Sequence, residues 1–262
     1  MSLLPAVLTA RDSGVIERLT TRFGGACRAV ETTFYECSQP FRVLGTVENF
    51  ALHVPRSPDG SAILLLHGAG RDHLTLVAQS EARGVLERSR AIIVMPRGRL
   101  SWWINTPGSA YEDFVLELMD RVEATTWSVA GWSMGGFGSL RLAVRHPDRF
   151  VAWAGLLALA DFPNPTYPRE QNHSVPAIFG PPAQWAGWNP LPGVEKLRGK
   201  RLWFTTGTAA FDRSMNETLD RRLMELGIPH EFHLVPGGHE LRVVVENLQP
   251  MLRFLEKGDK HP

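Results

Sequence analysis

Continuous apolar runs alternate along this chain with stretches whose apolar residues recur at helical spacing. AILLL at 62–66 and AIIVMP at 91–96 never alternate with polar residues, which suits strands buried on both faces of a parallel sheet. The same reading makes strands of WSVAG at 127–131, VAWAGLLAL at 151–159, RLWFTTG at 201–207 and HEFHLV at 230–235. Helices are predicted between them, over 74–88, 109–124, 134–146, 217–227 and 241–257. Ser109 and Glu112 have capping-box spacing at the start of the second. Nearer the start, 15–23 forms a short helix ended by Gly24 and Gly25, and 41–55 is extended.

Strands alternating with helices at this spacing predict an α/β fold, a mainly parallel sheet with helices on both faces. The whole chain, 1–262, is read as one domain, with 1–40 as an N-terminal extension. Residues 161–193 break the pattern, with eight prolines in 33 positions, and are read as a short irregular cap over the carboxyl ends of the strands.

Composition narrows the function. A formal charge of +1 supplies no general reason to bind nucleic acid or an anionic membrane. The first residues, MSLLPAVLTARDSG, lack the basic start of a secretory signal, and no run approaches the length of a membrane span. A soluble cytoplasmic protein is the expectation. Cys27 and Cys37 lie outside any C-x-x-C spacing and are read as reduced, half-buried thiols. No metal-ligand spacing appears, and no cofactor is expected.

The chemistry centres on VAGWSMGGFG at 129–138, where Gly131, Ser133 and Gly135 make G-x-S-x-G. Glycine tolerates conformations and close approaches closed to other residues, so this spacing predicts a turn too sharp for side chains. A strand before it and a helix after it match a nucleophile elbow, which lifts a serine hydroxyl clear of a sheet. A serine needs a base, normally a histidine oriented by a carboxylate, and in such folds the order is serine, acid, histidine. His239, in the loop VPGGHE before the last helix, is the base expected. His146, His173 and His261 sit at a helix end, in the cap and in the tail, and His230 and His233 fall within a predicted strand. Asp212, in TAAFD after the strand RLWFTTG, is favoured as the acid over Asp161, which follows an earlier strand. Backbone amides of Met134 and of Ala69 in HGAG are expected to hold an oxyanion, with Gly70 as the fallback for Ala69. His67 in the same motif is read as a brace for that loop.

LLLHGAG, PRGRLSWWINTPGSAYEDFVLELMDRVE, VAGWSMGGFGSLRLAVRHPDRF and the glycine loop with His239 together resemble the esterase-D-type branch of the α/β-hydrolases. That branch includes tributyrin and feruloyl esterases, S-formylglutathione hydrolase and mycolyltransferases. The resemblance covers about residues 41–257, and the elbow segment with its HPD ending is its most specific part. It implies the α/β-hydrolase fold and carboxylic-ester hydrolysis, with Ser133 as nucleophile, His239 as base, Asp212 as acid, and Ala69 and Met134 as oxyanion donors.

Trp102, Trp103 and Trp132 lie in or beside loops at the carboxyl ends of the strands, where ligands meet this architecture, and are candidates to wall a substrate pocket. Trp185 and Trp188 are candidates to close the cap, while Arg71, Arg97 and Arg99 read as solvated surface. The expected partner is a small-molecule ester, and the oligomeric state is left open, a homodimer included. An acyltransferase or thioesterase uses the same groups, and a non-catalytic binding protein of this fold is the reading from another class.

Overall fold

A computed structural model of the chain describes residues 12–166 and 174–256. Helix α1 (Asp12–Phe23) leads into an antiparallel run of β1 (Ala26–Glu31), β2 (Phe34–Phe41) and β3 (Thr46–His53). Then come β4 (Ser61–Leu66), α2 (Ser80–Leu86) and β5 (Ile92–Pro96), followed by a two-residue ladder of β6 (Asn105–Thr106) with β7 (Ser109–Ala110). The remainder alternates: α3 (Tyr111–Arg121), β8 (Thr126–Trp132), α4 (Met134–Arg145), β9 (Ala152–Leu156), β10 (Arg201–Gly207), α5 (Arg213–Glu225), β11 (Glu231–Val235) and α6 (Leu241–Glu256).

Nine strands form one sheet in the order β1-β2-β3-β5-β4-β8-β9-β10-β11. From β5 to β11 every neighbour is parallel, and β1, β2 and β3 extend the sheet antiparallel. Period-2 alternation sends side chains to two separate cores. Leu64 and Val94 join α1, α3, α4 and α5 on one face, while Ile63 and Ile93 join α2 and α6 on the other. Burial on both faces is the reason these strands read as unbroken apolar runs.

Several local expectations yield to competing interactions. Only 80–86 of the helix expected over 74–88 forms. Ahead of it, Asp72 Oδ1 accepts from the Leu74 amide and the Thr75 hydroxyl, and this local turn competes with helix. The capping box is absent: Ser109 lies in β7, and Asn105 Oδ1 accepts from the Glu112 and Asp113 amides in its place. Strand β9 stops at Leu156 because Leu157 turns to φ 50°. Of the expected N-terminal extension, 26–40 lie in a hairpin of the main sheet that runs on to Phe41, and Ile16 and Leu19 of α1 are core. The cap is described at 161–166 and 174–193, where 3-10 turns cover Ala177–Phe179 and Pro182–Gly187 and a third begins at Leu191. His173 and His261 lie outside the described residues.

Cys27 and Cys37 are not reduced thiols. They are direct partners across β1 and β2, with Cα atoms 4.0 Å apart, and form a disulfide. Sequence spacing alone does not reveal that register. Closing so short a loop predicts that the Cys27→Ala, Cys37→Ala double variant loses about 2–3 kcal/mol in urea unfolding. A wild-type protein whose melting temperature ignores reductant would contradict this.

Candidate active site

The carboxyl end of β8 runs straight into α4 through Ser133, whose backbone is at φ 54° and ψ −119°. A non-glycine residue there stores strain, roughly 1–3 kcal/mol, that the surroundings must overcome. Here they do so by close packing. A Cβ on Gly131 would lie 2.2 Å from the Gly135 carbonyl oxygen, and one on Gly135 would lie 2.1 Å from that of Leu66. The elbow also hangs on two backbone bonds: the Ser133 amide donates across to Leu156 O (3.1 Å), and the Phe137 amide, in the first turn of α4, donates to Ser133 O (3.0 Å). The hydroxyl is thus lifted from the sheet on a turn with no room to relax.

His239 follows β11 in the glycine loop, and its Nε2 is 2.8 Å from Ser133 Oγ. On the other side of the ring, Nδ1 is 2.5 Å from Asp212 Oδ1. An ionised carboxylate only accepts, so Nδ1 carries the proton, and in the neutral ring Nε2 accepts from the serine hydroxyl. Asp212 is 0% exposed, and its second oxygen accepts from the Thr206 hydroxyl (2.6 Å) and Asn216 Nδ2 (2.9 Å). Those two donors compensate the burial of a charge. Phe211 packs its ring 4.3 Å from that of His239, centroid to centroid. The acid and base loops lie against one another, because the Ala209 amide donates to Gly237 O and that of Thr208 to Val235 O.

Asp161 is engaged elsewhere: its Oδ1 accepts from Asn189 Nδ2 at 2.6 Å and ties two parts of the cap together. His146 bonds Glu112, His230 bonds Asp220, and His233 is half-exposed beside Glu231.

The HGAG loop lies directly against the elbow, since a Cβ on Gly68 would approach Ser133 Cβ to 3.2 Å. Ala69 is exposed, and Met134 opens α4. Neither amide donates to a backbone carbonyl among the described residues. Such free N–H groups at a helix start and a glycine loop suit an anion. His67 braces the loop from beneath: Nδ1–H donates to Gly68 O (2.8 Å), and Nε2 accepts from the Gly98 amide (2.9 Å). Burial lowers its pKa from the ordinary 6.5 to about 4, keeping it in the neutral form that these two bonds require.

Of the tryptophans, Trp102 packs beneath the cap among Phe137, Phe162 and Phe179. Trp132 lays its indole against Gly68. Trp103 departs from the pocket-wall expectation. It is fully buried, wedged against Gly98 and Gly138, with Nε1–H donating to His67 O at 3.3 Å, and exposes no surface to a ligand. Arg99 is also more than solvated surface, because its guanidinium pairs with buried Glu48, which accepts from the Tyr111 hydroxyl as well. Sequence reading missed Thr206 and Asn216. Asn216 stands one helical turn after Asp212, the only signal available, and Thr206 carried none.

A mainly parallel sheet with helices on both faces, its serine on a strained strand-to-helix turn, defines the α/β-hydrolase fold. Within that fold the chain belongs to the Esterase family (described as "Putative esterase"), whose model matches residues 48–255. An esterase of Mycobacterium tuberculosis is 31% identical over 69% of this chain and 48% of its own length. The chain therefore spans about half the length of the curated relatives it matches. A ferulic acid esterase structure superposes with TM-score 0.72 at 21% identity, covering 85% of this chain and 97% of that one. The S-formylglutathione hydrolase of Staphylococcus aureus superposes with TM-score 0.73 at 18% identity, covering 85% and 98%.

The His67 brace carries a pH signature. Unfolded, the ring protonates near 6.5; folded, only near 4. Its stabilising contribution is thus complete above about 6.5 and is lost as pH falls toward 4, by on the order of 3 kcal/mol. Urea midpoints measured from pH 7 to 4.5 should fall more steeply for wild type than for His67→Gln. Parallel slopes would refute the assignment.

Proposed function

We propose that this chain is a serine carboxylesterase that hydrolyses a small or medium carboxylic ester through an acyl-enzyme. The observation that carries the reading is the unbroken line of two hydrogen bonds, 2.8 Å and 2.5 Å, from Ser133 through His239 to Asp212. Ser133 Oγ attacks the ester carbonyl while His239 Nε2 takes its proton. Asp212 keeps the ring in the required tautomer and stabilises the imidazolium that forms. The Ala69 and Met134 amides hold the charge that develops on the carbonyl oxygen, in the pocket where a helix start already favours it. His239 returns the proton to the departing alcohol, and water then cleaves the acyl-enzyme by the same relay in reverse.

In this reading Trp102 and Trp132 wall the pocket, with Trp103 supporting them from the core. Thr206 and Asn216 are positioning residues, holding the carboxylate that holds the base. The names borne by the family and by the superposed structures agree with ester or thioester chemistry. Among the described residues no helix is long and apolar enough to cross a membrane. The Cys27–Cys37 disulfide favours an oxidising compartment over the cytoplasm expected from sequence, because reducing pools keep cytoplasmic thiols free.

Turnover of short p-nitrophenyl esters tests the assignment. Ser133→Ala should abolish both turnover and labelling by a fluorophosphonate. Asp212→Asn should lower kcat by roughly 10³–10⁴ through the wrong histidine tautomer, while Asp161→Asn leaves kcat within a few-fold. Full turnover in Ser133→Ala, or a larger loss in Asp161→Asn than in Asp212→Asn, would end this reading.

A further inference from the structure

Glu112 gathers two arginines and a histidine on the flank of α4. Its carboxylate accepts from Arg141 Nη1 (2.5 Å), Arg145 Nε (2.7 Å) and His146 Nε2 (2.8 Å). Burial pushes its carboxyl pKa up, but those donors and charges more than offset it and hold the group below the ordinary carboxylate range. One carboxylate facing two arginines leaves a surplus positive charge even with His146 neutral.

Beside this cluster lies a cavity of about 600 Å³ whose lining includes Asn105, Glu112, Arg141, Arg145, Gln184 and Trp188. Among the described residues Glu112 is the only acid on its wall, and that acid is already engaged three times over. Arg141 is the unusual member, with a side chain 6% exposed. Of its five N–H groups, one of the two on Nη1 has a hydrogen-bond partner among the described residues, and its guanidinium stands 5.1 Å from the Trp188 ring. A nearly buried cation with spare donors is costly unless an anion or water completes it. Arg145, half-exposed, likewise uses one of its donors on Glu112.

We propose that this cavity is a binding site for a compact oxyanion, the carboxylate or phosphate group of a small metabolite, gripped by Arg141 and Arg145. Two guanidinium forks present the paired N–H groups that suit such ions. The Asn105 and Gln184 side chains and the Trp188 ring form the rest of the wall. The site is separate from the ester chemistry: Arg141 stands eight residues along α4 from Ser133, roughly 12 Å of helix. It joins that helix to the cap, since Trp188 packs on Phe179 and Phe179 packs on Trp102. An occupant therefore fastens the cap to the helix that begins at the nucleophile.

Isothermal titration calorimetry at constant ionic strength tests this with two probes, inorganic phosphate and citrate, on the full chain carrying Ser133→Ala so that turnover plays no part. At least one probe should bind saturably with a stoichiometry of one. Arg145→Gln should weaken that binding by about tenfold or more, the scale of a hydrogen bond to a charged group. Glu112 keeps Arg141 and His146 in this variant, and a thermal melt checks its folding; Arg145→Lys, which keeps the charge and loses the fork, is the reserve and should weaken binding less. Arg90→Gln, in a different cavity lined by Arg56 and Arg88, serves as the electrostatic control and should bind as the parent does. Saturable binding lost with Arg145 alone supports the site. Heats that never saturate for either probe, or equal losses with Arg90 and Arg145, overturn it.

Discussion

The backbone of Ser133, held in the left-handed region, is the constraint on which the rest of the site depends. A relaxed serine would lie back along the sheet, out of reach of an imidazole arriving from another strand end. Gly131, Gly135 and the Leu66 carbonyl are packed so closely that no side chain fits between them, and the Leu156 carbonyl pins the serine amide from the neighbouring strand. The strain is therefore sustained by the parallel sheet itself. Its cost is distributed over β4, β8 and β9, which are central and buried on both faces.

From that fixed point the arrangement runs outward through progressively buried groups. Ser133 is half-buried, the His239 side chain is 18% exposed, and Asp212 has no exposure at all. Burial makes the Asp212–His239 bond strong, and it also makes Thr206 and Asn216 necessary, since a buried carboxylate with an empty second oxygen would be expensive. The HGAG loop repeats the logic. Its amides face outward because a neutral His67 holds its carbonyl and the Gly98 amide from within, with Trp103 packed behind.

The cap follows a different rule. Asp161 and Asn189 tie it to itself, Phe162 and Phe179 seat it on Trp102, and Trp188 reaches over to the arginines beside Glu112. Its described residues have 3-10 turns but no α-helix or strand, as the prolines require, and are ordered by aromatic contacts and a few polar ties. The charged cluster below it is a second focus of polar organisation, built on α3 and α4 rather than on strand ends.

The amino-acid pattern alone determined the alternation of buried strands and helices, the sharp turn at Ser133 and the loops that carry Asp212 and His239. Each is written in local terms: unbroken apolar runs, glycine spacing, and the order of residues after strands. Tertiary structure decided what depends on distant parts of the chain meeting. Cys27 and Cys37 pair because a hairpin register sets them opposite one another, and Asn105 displaces Ser109 as the cap of α3 because a loop folds back. Asp161 goes to the cap and Trp103 to the core, although both sit at strand ends where a site residue would. Glu112, a helix-start acid by sequence, turns inward because Arg141, Arg145 and His146 surround it. Local propensity is short-ranged, whereas pairing a charge, a thiol or an aromatic ring needs a partner that only the completed fold supplies.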